Sequence, residues 1–398
     1  MRVALEASFL DLPPSGTGAY VRHLSDALRL VGPDLDLVLL RPDRGLPAED
    51  EVGGLEVKLP GRSVAWPFRS ERARRFAWEV AGSARAARRL DPVPDLLHVP
   101  HFAAPLPGPW AARLPLVVTI HDVIPLVLPA YRTSRAQRVR LAIAARTVRR
   151  ASRVLVPSEA AAADVARTLR IPAGRIRVTP EAADPACRPA ADAAERDAAR
   201  AVARRLGVPG RYVFNVAGFD VRKNLPALLD GFARALPRLT EPVSLVIAGA
   251  PHSANPIVFP PLAPVIDRFG LGGRVVLPGF VSEADKLALY RAADLYVTPS
   301  AYEGFGLTAL EAMACGVPTV AAVRTSLPEV VRDGGLLVPP EPDALAEAMV
   351  GVLNDPRRAT DLRDRGLARA AAFSWERTAR LTLAAYREAI AQARGGRG

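Results

Sequence analysis

Apolar positions along the chain switch repeatedly between two periods. Short runs rich in Val, Ile and Leu give way to stretches in which apolar residues recur every three or four positions, and the alternation persists to the end. In the first half the runs at 2–9, 35–40, 55–59, 95–99, 116–121, 153–157 and 175–179 read as strands, with amphipathic helices at 19–31, 135–150 and 159–169. The pattern restarts with strands at 212–217, 244–248, 274–278, 295–298, 318–321 and 336–338. Strands that alternate with helices predict parallel sheets built from βαβ units, with ligands at the carboxyl ends of the strands.

The segment 184–209 breaks the alternation: it is rich in Ala, Pro and charge and has no strand pattern. The predicted organisation is therefore a first α/β domain at 1–184, a linker region at 185–209 and a second α/β domain at 210–373. A final helix at 374–398, with Ser374 as its N-cap, packs back toward the first domain. Both domains are expected to be Rossmann-like and doubly wound, facing one interdomain cleft. A chain of 398 residues is long enough for two cores.

Composition narrows the function classes. The charge of +12 comes from 53 basic residues, of which only Lys58, Lys223 and Lys286 are lysines. So strong an arginine bias reads as a coding preference, and no basic module with interleaved aromatics points to nucleic acid. Two cysteines, Cys187 and Cys315, stand outside any metal-ligand spacing, which predicts neither a disulfide framework nor a structural zinc. The first ten residues carry Glu6 and lack a signal-peptide pattern, and the longest apolar stretch, 114–131, holds His121, Asp122 and prolines. A cytoplasmic protein is expected. Two arginine-rich segments, 69–89 and 131–158, read either as solvated helix faces or as a basic surface for a phosphorylated acceptor or for anionic lipid at the inner face of the cell membrane.

The stretch from Thr298 to Pro318 carries the most chemistry. A strand ends near Pro299; Glu303, Gly304, Phe305 and Gly306 follow; a helix then runs from Leu307 to Gly316. Glycines allow a ligand to approach the backbone, and the amides of Leu307 and Thr308 form an anion site at the helix start. Glu311 lies one turn deeper on the same helix face, where it can take ribose hydroxyls of a nucleotide diphosphate. Glu303 stands ahead of the helix, within reach of the group on the distal phosphate. A second strand–loop–helix stretch, 216–225, carries Arg222 and Lys223. A compact ammonium suits a diphosphate. A third, after the first strand, holds Gly16 and Gly18, which form an incomplete dinucleotide fingerprint. A fourth strand ends in His121, placed to donate to or accept from a sugar hydroxyl. His98 and His101 read as structural. Asp34-Leu-Asp36 imitates a metal motif but has no second ligand set around it.

Glu303 and Glu311 form a Glu-x7-Glu pattern which, with Pro299-Ser300 before it and Ala314 to Pro318 after it, resembles the retaining glycosyltransferases of family 4. The resemblance covers nearly the whole chain and implies the GT-B fold. It implies that Glu311 binds the donor ribose, that Glu303 lies near the reacting carbon, and that Lys223 and Arg222 hold the pyrophosphate. It also places Gly279, Phe280 and Val281 against the base, Gly16 and Gly18 at the donor phosphate, and His121 as a catalytic residue beside Glu303 and Lys223. Two positions depart from the pattern: Phe219 stands where Arg is common, and Glu181 where many members have Asn. The function so implied is transfer of a mannose-like hexose from a nucleotide diphosphate sugar to a glycan or lipid-linked acceptor. Neither cofactor nor essential metal is expected. A nucleotide-sugar epimerase on the same fold and a non-catalytic sugar-nucleotide or membrane-binding protein are the alternatives.

Overall fold

The structure, a computed structural model, describes residues 1–11, 15–42, 56–58, 77–106, 114–132 and 134–395. It divides into two compact units, Met1–Glu181 with Trp375–Gly398, and Ala182–Ser374.

The first unit is a seven-stranded sheet with the order β3-β2-β1-β4-β5-β6-β7. The strands are β1 (Arg2–Glu6), β2 (Asp36–Arg41), β3 (Glu56–Lys58), β4 (Leu96–Val99), β5 (Leu116–Thr119), β6 (Arg153–Val156) and β7 (Ile176–Val178). Every pairing is parallel, with Val3 opposite both Leu37 and Leu96. Parallel strands need helical crossovers that cover both faces, so the central strands read as continuous apolar runs. Val3, Ala4 and Leu5 accordingly lie fully buried.

Sequence-based strand limits hold to within a few residues, with one instructive difference. The run expected at 2–9 stops at Glu6, because the Glu6 carboxylate accepts the amide of Ser8 and the backbone turns into Ser8–Asp11. A second difference concerns Gly16 and Gly18, expected in a loop. Ser15 caps the helix by accepting from the Gly18 amide at 3.2 Å, so both glycines lie in the first turn of Gly16–Val31. Of the arginine-rich segment 69–89, residues 69–76 lie outside the described residues.

The C-terminal helix Trp375–Gly395 belongs to this unit. Trp375 stacks on His23 at 5.1 Å, Tyr386 bonds His98 at 2.7 Å, and Glu388 takes Arg153 and Arg177 at 2.8 Å each. Each contact ties the helix to an element of the first sheet or to the helix Gly16–Val31.

The second unit is a six-stranded parallel sheet with the order β10-β9-β8-β11-β12-β13. Its strands are β8 (Arg211–Val216), β9 (Val243–Ala248), β10 (Val275–Gly279), β11 (Leu295–Thr298), β12 (Thr319–Ala322) and β13 (Leu336–Val338). Successive side chains feed opposite cores: Phe214 packs with Tyr290 and Tyr296, while Val213 packs with Leu229, Phe232 and Leu245. The segment 185–209, read as a linker, is part of this unit. It carries the helix Ala193–Arg205, started by Asp192 accepting from the Glu195 amide and packed against Glu283–Ala292. Its exposed charge hid a short apolar face, Ala199 and Ala203, from a strand-based reading. Both cysteines are buried in one apolar cluster of this unit.

Gly249, just past β9, sits at φ +131°, and a Cβ there would stand 1.9 Å from the Ala217 carbonyl oxygen. Backbone blocks that approach, and no side chain can move aside to relieve it. Gly249→Ala is expected to destabilise the protein by about 3 kcal/mol or more. Denaturant midpoints of the two proteins measure this, and a loss under about 1 kcal/mol would contradict the packing described.

Candidate active site

In each sheet the strand order reverses once, between β1 and β4 in the first and between β8 and β11 in the second. Loops leaving two such strands part to opposite sides and open a crevice at their carboxyl ends. In the second unit that crevice receives Arg222 and Lys223 after β8 and Glu303 after β11.

The loop after β8 tightens into the turn Val221–Lys223 and ends at Asn224 in the left-handed region at φ +51°. The Asn224 side chain donates to the carbonyl oxygen of Pro340 at 3.2 Å, which fixes that conformation. The loop after β11 is anchored through its backbone. The Glu303 amide donates to Thr325 Oγ1 at 2.9 Å, and the Ser326 hydroxyl donates to the Glu303 carbonyl at 3.0 Å. Between these loops Lys223 Nζ lies 2.6 Å from Glu303 Oε1, and Arg222 Nη1 lies 2.9 Å from Oε2. Arg222 Nε also faces Asp220 at 3.2 Å.

Glu303 and Lys223 are both buried. Burial alone would raise the Glu303 carboxyl, but Lys223 and Arg222 outweigh it and hold its pKa at about 2. Burial lowers the Lys223 ammonium while Glu303 opposes the loss of its proton. The pair is ionic, because the carboxylate faces two cations and each cation faces a carboxylate.

Gly306 adopts φ +101°, and a Cβ there would meet Leu327 at 2.8 Å. From it starts the helix Leu307–Ala314, whose first bond runs from the Ala309 amide to the Gly306 carbonyl. The amides of Leu307 and Thr308 precede that bond, as the first groups of a helix do. Phe305 points inward and packs edge-on against Phe373 at 5.7 Å. One turn into the helix, Glu311 Oε2 accepts from the Tyr290 hydroxyl at 3.1 Å, and the same hydroxyl donates to the Thr308 carbonyl at 3.1 Å. Lys286 Nζ lies 3.4 Å from Glu311 and 2.7 Å from Glu283. Burial pushes the Glu311 carboxyl up, with Lys286 and Tyr290 offsetting part of the rise. Burial works against the Lys286 ammonium, yet the two carboxylates hold it above its ordinary value.

The sequence pointed to Glu303, Glu311, Arg222, Lys223 and the turn 304–308, and the second unit brings these together. It did not point to Lys286 and Tyr290. Their signal was present: an i, i+4 pair on one helix, one member of which is among only three lysines. At the end of β10, Gly279 is the last strand residue, Phe280 is two-thirds exposed, and Val281 packs inward against the core.

In the first unit His121 follows β5, with Nδ1 2.7 Å from Glu181 Oε1 and Nε2 3.1 Å from the Pro100 carbonyl oxygen. His98 and His101 are buried there. His98 lies between Tyr386 and Thr119, and His101 faces the buried Glu6 carboxylate at 3.4 Å. Gly16 and Gly18 share a unit with His121. Among the described residues no cluster of three or more His, Cys, Asp or Glu is arranged to hold a metal. No helix of the described residues is long and apolar enough to cross a membrane.

Comparison with known proteins places both halves. Residues 14–186 match the family Glycosyltransferase Family 4, and residues 204–369 match Glycosyl transferases group 1. The chain is 29% identical to the O-antigen chain mannosyltransferase B of Escherichia coli, over 97% of this chain and 100% of that one. Among solved structures, the sucrose-phosphate synthase of Thermosynechococcus elongatus superposes with a TM-score of 0.72 at 23% identity, covering 98% and 99% of the two chains. Anabaena HepE, solved in complex with UDP-glucose, gives 0.69 at 20% identity over 96% and 97%. The fold is GT-B.

If Glu303 is held ionised by two cations, its charge stabilises the folded state above its ordinary pKa of 4.5, and that contribution is lost as pH falls toward about 2. Glu303→Gln removes the carboxylate in contact with Lys223 and leaves Asp220 alone to face the two cations, through its contact with Arg222. It is expected to cost about 3 kcal/mol at neutral pH, with the gap to wild type closing between about pH 4.5 and 2. Denaturant unfolding across that range tests it, and a gap independent of pH would show that the charge is not responsible.

Proposed function

We propose a specific reaction for this chain, which belongs to the glycosyltransferases and is a hexosyltransferase. It moves a mannose-like hexose from a nucleotide diphosphate sugar to a glycan or lipid-linked acceptor during synthesis of a surface polysaccharide, with retention at the anomeric carbon. The observation that carries the reading is the grip of Lys223 and Arg222 on Glu303 at the strand-order reversal, directly ahead of the helix that bears Glu311.

Each part has a task in such a transfer. The amides of Leu307 and Thr308 take phosphate oxygens of the donor, and Glu311 takes the ribose hydroxyls. Phe280 and its neighbours Gly279 and Val281 border the base, and Gly16 and Gly18 meet donor phosphate. Lys223 and Arg222 neutralise the diphosphate as it departs, when its charge grows. The bond from the anomeric carbon to the phosphate oxygen breaks, and a bond to the acceptor oxygen forms on the same face. The acceptor proton passes to the departing phosphate. Glu303 stands beside the reacting carbon and His121 beside a sugar hydroxyl. With two cations at the diphosphate, no divalent metal is essential to this scheme. Mannose and a polysaccharide acceptor rest on the likeness to the E. coli enzyme, and a nucleotide sugar donor also on the fold shared with HepE.

Two variants separate binding from chemistry. Glu311→Ala should weaken donor binding by roughly ten- to a hundredfold through the loss of charge-assisted bonds to two hydroxyls. Lys223→Ala should lower kcat by about a hundredfold or more, with Lys223→Arg a partial rescue. Turnover of labelled GDP-mannose with and without acceptor, in the presence of EDTA, reads both. Wild-type affinity in folded Glu311→Ala removes the ribose assignment, and turnover abolished by EDTA removes the metal-free scheme.

The first unit offers a surface for a lipid-linked acceptor. Residues 1–184 hold 27 basic and 19 acidic residues. The helix Arg135–Val148 exposes Arg135, Arg138, Arg140 and Arg146, and buries only Thr147 and Val148. Each arginine near an anionic bilayer contributes about 1 kcal/mol, fading within a Debye length of about 8 Å. The enzyme is expected to sediment with phosphatidylserine vesicles at low salt and to be released by high salt. Neutralising those four arginines should abolish sedimentation and leave donor affinity unchanged. Equal recovery with neutral vesicles would show the helix to be solvated only.

A further inference from the structure

The surroundings of His121 decide which of two opposed tasks it can perform. Nδ1 faces the Glu181 carboxylate at 2.7 Å and Nε2 faces the Pro100 carbonyl at 3.1 Å. A carbonyl and an ionised carboxylate can only accept, so both contacts are hydrogen bonds only if both ring nitrogens carry protons. The ring is held edge-on by Tyr20 at 4.7 Å, and the Tyr20 hydroxyl meets Thr119 at 3.1 Å. About a fifth of the His121 side chain remains exposed, against a tenth for Glu181.

Every charged or titratable neighbour agrees with that assignment. Glu181 comes from the chain just beyond β7. Asp122, next in sequence, accepts from the Ile124 amide at 3.0 Å. Tyr20 comes from the helix Gly16–Val31, and burial keeps its phenol protonated. From β4 comes His98, which burial, together with the nearby His121 and His101, pushes down to about 3, so it adds no charge. For His121 burial acts downward, but Glu181, by charge and by hydrogen bond, and Asp122 bring the ring above its ordinary value.

We propose that Glu181 is a positioning residue that fixes His121 as an imidazolium, so that His121 serves the transfer as a charged hydrogen-bond donor through Nε2–H and never as a base. The Pro100 carbonyl holds that N–H until an oxygen of the bound donor, a sugar hydroxyl or a phosphate, replaces it. This deepens the transferase reading and rests on it. It also gives a reason for a carboxylate at position 181: an amide oxygen there could accept from Nδ1 but would not hold the second proton on the ring. The sign of the pH dependence follows. A histidine whose pKa is raised keeps its charged contacts at low pH and loses them as pH rises through the raised value. Activity should therefore fall on the alkaline side, whereas a general base would fail on the acid side.

Nitrogen-15 NMR of the histidine rings in the full chain tests this without relying on turnover. The His121 signals are identified by their disappearance in His121→Gln. Wild type should show both His121 nitrogens protonated at pH 7.5. Glu181→Gln should bind the proton at least about tenfold more weakly and show one bare nitrogen at that pH. The alkaline limb of kcat should move down by the same factor, while Glu181→Asp stays close to wild type. A bare nitrogen in wild type, an unchanged titration in Glu181→Gln, or a kcat limb that ignores the titration would each overturn the proposal. Should Glu181→Gln fail to fold, the wild-type spectrum still decides. Both nitrogens protonated in a protein that turns over no nucleotide sugar would leave the imidazolium standing and remove the transferase scheme instead.

Discussion

The carboxylate of Glu303, closed between Lys223 and Arg222, is the contact that organises the second unit. The buried Glu303, Lys223 and Asp220 and the partly buried Arg222 are tolerable as ions only when each finds a partner at short range. The fold meets that demand by bringing two loops from neighbouring strands to one point. β8 and β11 are adjacent because the strand order reverses between them. Asn224 in its left-handed turn aims the two cations, and Thr325 and Ser326 fix the backbone that aims the carboxylate. Moving either loop by an ångström would separate the charges and leave them buried unpaired.

The same cluster explains how a binding site can be rigid before its ligand arrives. In the proposed transfer Lys223 and Arg222 face a diphosphate, and two neighbouring cations repel each other. Glu303, with Asp220 beside Arg222, supplies negative charge that holds the two cations together. An incoming diphosphate then exchanges one anionic partner for another, and little structure has to reorganise as charge builds on the leaving group. Glu311 shows the same economy at a smaller scale. Lys286 and Tyr290 hold its carboxylate in place.

Much of this was legible in the chain, and the part that was not has a physical cause. Period and β-branched runs showed two parallel sheets, because strands buried on both faces carry no polar positions to blur them. Glu303, Glu311 and Lys223 stood out because glycines and a helix start surround them, and the structure brings Lys223 onto Glu303 just ahead of the helix that carries Glu311. What escaped depended on contacts distant in sequence. Nothing local at Lys286 says that Glu311 lies opposite, since the pairing joins two helices across an intervening strand. The helix Ala193–Arg205 was missed because a charged surface over two buried alanines resembles a linker. Glu6 ended its strand early through a side-chain bond to the backbone, which no hydropathy pattern records.

The two units solve the same electrostatic problem in the same way, by pairing each buried charge at short range. In the second unit Lys223 and Arg222 share the Glu303 carboxylate and Arg222 also faces Asp220, so two cations meet two carboxylates. In the first unit Glu181 and Asp122 surround one imidazolium, so the cation is fully compensated and its remaining use is directional, through one N–H. A compensated donor discriminates by geometry, because a hydrogen bond weakens steeply with angle. In the proposed transfer, neutralising the departing diphosphate is the task of Lys223 and Arg222. In the same proposed transfer His121 would orient an oxygen through Nε2–H, with its ring held by the Glu181 carboxylate behind it.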